Sequence, residues 1–156
     1  PETSEMTASG RLAELGITLP TVTPPLAAYV PAVRTGNLVY TAGQLPLSAG
    51  KLTHTGKVGA DVSPEHAKVA ARTCALNALA AIDALVGIDT VTRVVKVVGF
   101  VASAPGFSGQ PGVINGASEF LGEVFGEAGA HARSAVGVSE LPLDATVEVE
   151  LIVELA

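Results

Sequence analysis

The spacing of hydrophobic and polar positions changes along the chain, and each change marks an element. Arg11-Leu12-Ala13-Glu14-Leu15 within Ala8–Leu15 has the spacing of a short amphipathic helix, with Gly16 as its stop. Pro20, Pro24 and Pro25 then predict a stiff, extended approach to the core. Two β segments, Ala27–Val33 and Asn37–Gln44, are separated by Arg34-Thr35-Gly36 and predict a hairpin. Pro46–Lys57, with Gly50 and Gly56, predicts a further turn and connection.

The strongest helix signal is Ser63-Pro64-Glu65: a capping hydroxyl, a proline suited to the first turn, and an acid facing the positive helix end. With Gly87 as its stop, this helix is roughly 35 Å long. Glu65, Lys68 and Arg72 share one stripe, expected to be solvated, on a cylinder otherwise rich in Ala and Leu. Val91–Ala102 carries valine on both parities, as a strand buried on both faces would. Pro111–Glu127 predicts a second long helix with Ala117, Phe120, Leu121 and Val124 inward. Ala132–Val138 and Thr146–Leu155 predict the closing strands; in the latter, Val147, Val149, Leu151, Val153 and Leu155 hold one parity. The order β-β-α-β-α-β-β predicts an α+β fold, a mixed sheet with two helices packed on one face.

At 156 residues the chain is expected to be a single domain. Residues 1–5 precede the lone methionine, Met6, and are read as a non-native leader, with residues 7–25 as an N-terminal extension. A net charge of −6 argues against general binding to nucleic acid or anionic membranes. The single cysteine, Cys74, excludes an internal disulfide and suits a reducing compartment. No run of apolar residues reaches membrane-spanning length and no secretory signal is evident, so a cytoplasmic protein is expected. Apolar residues make up 48% and charged residues only 15%, against roughly 25% charged in typical domains. So few charges poorly cover a monomer, and a homo-oligomer that hides one face is expected.

Familiar chemistry is absent from the sequence. His54, His66 and His131 have no metal-ligand spacing, and the glycines form neither a dinucleotide nor a phosphate loop. Ser108 in Gly106-Phe107-Ser108-Gly109 lacks the spacing of a nucleophile elbow. Asn77 reads as a helix-packing amide and His131 as structural or solvated. Arg133 and Glu148 remain. Arg133 opens a small, apolar strand, where a guanidinium must find acceptors. It could form a cross-strand ion pair with Glu148 if the last two strands pair across Leu141–Asp144, or act as an anion fork for a small carboxylate.

Two motifs, in order, carry a resemblance. Gly36-Asn37-Leu38-Val39-Tyr40-Thr41-Ala42-Gly43-Gln44-Leu45-Pro46 resembles the G-N-x-hydrophobic-x-S-G-Q-x-P signature of the Rid/YjgF family of reactive intermediate (imine) deaminases. Ala132-Arg133-Ser134, through Leu141-Pro142, to Val147-Glu148-Val149-Glu150 is similar to that family's closing motif. The resemblance covers roughly residues 27–156. It implies a chorismate-mutase-like fold and a homotrimer with clefts between subunits. It further implies hydrolysis of 2-imino acids, or their 2-aminoacrylate tautomers, to 2-keto acids and ammonia, with no cofactor and no metal.

In the implied site Arg133 grips the substrate carboxylate, Glu148 positions water, and the Ala135 carbonyl accepts from the imine nitrogen. Tyr29, Gly43 and Asn115 correspond to the family's other binding positions. Three positions depart from the pattern: Ala135 replaces the usual cysteine, Ala42 a serine, and Ser118 an aromatic residue after Asn115. These imply a divergent subgroup with a reshaped pocket. A non-catalytic trimer binding a small carboxylate for regulation is the alternative. An endoribonuclease or translation inhibitor fits less well with the acidic charge and the lack of a stacking platform.

Overall fold

A computed structural model of the protein describes residues 6–22 and 28–156. Residues 1–5, together with Pro24, Pro25 and Ala27 of the expected approach and first strand, lie outside the described residues. Helix α1 (Ala8–Glu14) is capped by Thr7, whose Oγ1 accepts from the Gly10 N–H at 3.1 Å. It is the short helix expected over Ala8–Leu15, pinned where Ser9 donates through N and Oγ to the Asp89 carboxylate at 2.9 and 2.5 Å.

Strands β1 (Ala32–Thr35) and β2 (Leu38–Thr41) form the first hairpin. Its turn is Gly36-Asn37, with Thr35 opposite Leu38 and Gly36 at φ 56°, a left-handed position that suits glycine. The first strand therefore starts later than expected and runs through Arg34 and Thr35. Pro31, just ahead of it, has no N–H to extend the ladder. Two short strands, β3 (Leu47–Ser48) and β4 (Lys51–Leu52), pair within the connection to the long helix.

Helix α2 (Pro64–Val86) begins and ends as its caps predict: Ser63 Oγ accepts from His66 N at 3.1 Å, and Gly87 terminates it at φ 81°. Its length and apolarity would suffice to cross a bilayer, yet it lies in the core, with ten residues from Ala67 to Ile82 buried. The stripe expected to be solvated is partly engaged. Lys68 pairs with Glu119 at 3.0 Å and Arg72 with Glu123 at 3.1 Å, both on α3 (Gln110–Phe125). Arg72 also lies 4.6 Å from the centre of the Phe120 ring. Gly116 permits this approach, because a Cβ there would fall 1.9 Å from the Lys68 carbonyl oxygen.

The main sheet has the order β1-β2-β7-β5-β6, with β5 (Val91–Ala102), β6 (Ala132–Val138) and β7 (Val147–Leu155). Only β5 and β6 run parallel. The last two strands do not pair with each other, so the cross-strand partnership of Arg133 with Glu148 is not formed. The reason is the crossover: β5-α3-β6 is a strand–helix–strand unit, which returns parallel beside its first strand. That places β6 at the sheet edge and sends β7 to the other side of β5. The odd-numbered residues of β7 are buried under the helices. The opposite face, carrying Tyr40, Val98, Phe100, Val136 and Ile152, has no helix over it.

Candidate functional site

Arg133 projects from edge strand β6 toward α3. It neighbours Val97, whose partner on β7 is the buried Leu151, so it lies on the helix-bearing face. Its Nη1 donates to Asn115 Oδ1 at 2.7 Å and to Ser118 Oγ at 3.2 Å. Asn115 and Ser118 stand three apart on α3 and so share one side of the helix. Among the described residues no carboxylate pairs with Arg133, and neither Nε nor Nη2 has an acceptor. A half-buried guanidinium whose charge is matched only by neutral groups is an anion site in waiting.

Ala135 stands two residues further along the same strand. Carbonyls alternate in direction along a strand, and Val138 O accepts from Ser103 N at 3.0 Å, toward the β5 side. Ala135, of opposite parity, therefore turns its carbonyl to the open edge of the sheet.

Glu148 occupies a different place. It neighbours Phe100 on β5, three residues along from Val97, and so lies on the face without helices. The Gly43 motif builds its surroundings. Tyr40 faces Ile152 while Gln44 bridges to Val149, so β2 and its extension spend one more residue than β7 over this stretch: a β-bulge. Thr41 Oγ1 accepts the Leu151 N–H at 3.0 Å within it. The bulge brings Gly43 onto Glu148: a Cβ at Gly43 would be 2.6 Å from Glu148 Oε2 and 2.8 Å from Cδ. The segment beyond is held by Asn77, whose Nδ2 donates to Leu45 O at 3.0 Å and Leu47 O at 2.9 Å, the packing role expected of that amide.

Burial pushes the Glu148 carboxyl above its ordinary range, and the Glu150 carboxylate adds to the rise. Such a group takes up a proton more readily than a solvated glutamate, as a general base must. Burial also pushes the Cys74 thiol well up, with Glu148 as the next cause, so that thiol is no nucleophile at neutral pH.

Of the residues singled out from sequence, the structure joins Arg133 with Asn115, and Glu148 with Gly43, as two separate groups. The registers separate them by about 10 Å along the strands and about 10 Å across them, on opposite faces. Tyr29, 54% exposed, belongs to neither by any hydrogen bond among the described residues. From sequence, His131 reads as structural or solvated and Ser118 only as a departure from the family pattern, and the structure brings the two together. Ser118 Oγ lies 2.8 Å from His131 Nε2, and His131 Nδ1 lies 2.6 Å from Gly129 O. The spacing held a signal: Ser118 follows Asn115 by one helical turn, and His131 precedes Arg133 by two residues. Among the described residues no three of His, Cys, Asp or Glu converge as metal ligands.

A family model described as Endoribonuclease L-PSP matches residues 21–155. Protein TCP17 of Trypanosoma cruzi is 45% identical over 154 residues, 95% of this chain and 96% of that protein. The crystal structure of Atu1372 from Agrobacterium tumefaciens superposes with TM-score 0.89 at 48% identity, covering 96% of this chain and 92% of its own. That of the YjgF gene product from E. coli superposes with TM-score 0.64 at 28% identity, covering 86% and 93%.

Proposed function

Because the chain belongs to the endoribonuclease L-PSP family, within the YjgF/Rid superfamily, and has its chorismate-mutase-like fold, we propose that it hydrolyses reactive 2-imino acids. The substrate class is the 2-imino acid or its 2-aminoacrylate tautomer, and the products are a 2-keto acid and ammonia. The observation that carries this reading is Arg133, half-buried, held through Nη1 alone and without a carboxylate partner among the described residues.

In the proposed mechanism Arg133 takes the substrate carboxylate in two parallel hydrogen bonds. The Ala135 carbonyl accepts the imine N–H, favouring the protonated and more electrophilic nitrogen. Glu148 orients a water and removes its proton as the oxygen adds to C2. That proton passes to nitrogen; as the C–N bond breaks, Glu148 takes the remaining hydroxyl proton, ammonia leaves, and the water oxygen becomes the carbonyl oxygen. An imine is already electrophilic, so orientation and one base supply a large part of the acceleration. Tyr29 serves at the cleft rim.

One chain cannot supply both groups to one small molecule, since Arg133 and Glu148 lie on opposite faces of the sheet, on strands flanking β5. The proposal therefore includes a homotrimer in which Arg133 of one subunit meets Glu148 and Gly43 of the next. The helix-free face supports it: Tyr40 is 43% and Val136 45% exposed there, beside a hollow of about 190 Å³ lined by Lys96, Val98 and Glu150.

The test is imine decay in a coupled assay, with 2-iminopropanoate generated by an amino-acid oxidase. Arg133→Ala is expected to lose on the order of 3 kcal/mol of substrate interaction, about a hundredfold in rate. Undiminished activity in that variant refutes the carboxylate clamp.

A further inference from the structure

A line of hydrogen bonds runs from the backbone to Arg133, and chemistry fixes its direction atom by atom. The Gly129 carbonyl can only accept, so His131 Nδ1, 2.6 Å away, carries a hydrogen. In the neutral ring Nε2 is then bare and accepts the Ser118 hydroxyl hydrogen across 2.8 Å. With its hydrogen turned toward His131, Ser118 Oγ offers a lone pair to Arg133 Nη1 at 3.2 Å. Nη1 also donates to Asn115 Oδ1 at 2.7 Å. This tautomer is assigned from the network, which leaves every donor and acceptor along the line matched.

The consequence falls on the guanidinium. A carboxylate can dock end-on, across Nη1 and Nη2, or side-on, across Nε and Nη2. Nη1 already donates to two acceptors on α3, which disfavours the end-on mode. Nε and Nη2 have no acceptor among the described residues and form one rigid, two-donor edge.

We propose that Ser118 and His131 are positioning residues of the Arg133 clamp: the His131–Ser118 relay holds the guanidinium so that its Nε–Nη2 edge receives a carboxylate side-on. The proposal rests on the clamp reading of Arg133 and goes beyond it by naming the groups that aim the fork. His131 itself touches no substrate. A lysine cannot replace the arginine here, because one ammonium has no such edge.

The experiment measures pyruvate, a product-like 2-keto carboxylate, binding to the full chain by calorimetric titration, with imine hydrolysis followed in parallel. Arg133→Ala is expected to weaken pyruvate binding about a hundredfold, and Ser118→Ala and His131→Phe about tenfold each. The Ser118→Ala, His131→Phe double variant should be no weaker than either single one, since both break the same line. His131→Gln, whose amide oxygen can accept near the Nε2 position, should recover most of the affinity, and Ser118→Thr should retain it. In hydrolysis the two disrupting variants should raise KM about tenfold with kcat nearly unchanged, as loss of carboxylate binding requires.

Wild-type pyruvate affinity in both disrupting variants, or a Gln variant as weak as the Phe variant, overturns the proposal. So does a wild-type protein that binds no pyruvate. Nitrogen-15 NMR of the wild-type His131 ring tests the relay with no variant at all: a neutral ring protonated at Nε2 overturns it. Pyruvate binding with the expected variant pattern but no imine hydrolysis would refute deamination and leave the positioning pair standing.

Discussion

Replacing Gly43 with alanine places a methyl carbon 2.6 Å from Glu148 Oε2, 2.8 Å from Cδ and 3.1 Å from Cγ. Ordinary contact begins near 3.4 Å, so the carboxylate must retreat by at least 0.8 Å. The retreating group is the far end of a flexible side chain on the face without helices, and so the fold should yield cheaply. Overpacking by one methyl costs about 1–3 kcal/mol where a core resists, and less here. For a chain of this size 1 kcal/mol shifts the melting midpoint by about 2–4 °C. Catalysis should suffer more, because a displacement of about 1 Å in a positioned group can cost a hundredfold in rate. Imine decay in Gly43→Ala should therefore fall by about ten- to a hundredfold while the midpoint drops only a few degrees. Pyruvate affinity should fall less than the rate, because the added methyl displaces Glu148 and not the Arg133 guanidinium. A Gly43→Ala protein that hydrolyses imines at the wild-type rate would refute the placing of water by Glu148, and equal losses in binding and rate would refute the two-group site.

Three further expectations follow from the same contacts. Glu148 has its carboxyl raised, so the folded state holds that proton more tightly than the unfolded chain does. The associated stability is present below the ordinary glutamate range and is lost as pH rises through the raised folded value. Glu148→Gln should thus gain on wild type in urea melts from about pH 4 upward, and a gap that grows toward acid would contradict the raised carboxyl. Gly116→Ala meets the Lys68 carbonyl oxygen at 1.9 Å and should destabilise the α2–α3 contact by about 2–3 kcal/mol in a urea titration. Helix propensity alone predicts the opposite, a gain of about 1 kcal/mol, so the sign decides. Cys74, fully buried with its thiol pushed up, should resist a thiol reagent in the native protein and react only on unfolding; native labelling at a solvated-thiol rate would disprove its burial.

The local elements are legible along the chain. Ser63, Pro64 and Gly87 bound α2 to the residue, because caps act within one turn of the backbone. The alternation in β7 named its buried face, because side chains on a strand alternate with period two. The two motifs alone point to the family, since each keeps chemistry-bearing residues at fixed short spacing. The first strand was misplaced because proximity to the glycine turn, rather than hydrophobic content, sets where a hairpin ladder begins.

What those elements place together follows from the packed fold alone. The crossover through α3 put β6 at the edge and β7 beyond β5, separating Arg133 from Glu148 where sequence adjacency had suggested a pair. The bulge after Tyr40 turned Gly43 from a motif letter into the wall against Glu148. The line from Gly129 through His131 and Ser118 to Arg133 joins two elements that are parted in sequence and adjacent in space. Periodicity and capping are properties of neighbouring residues and can be read along the chain. Which strand lies beside which, and therefore which donor meets which acceptor, depends on how the helices cross the sheet, and that is settled only when the core closes.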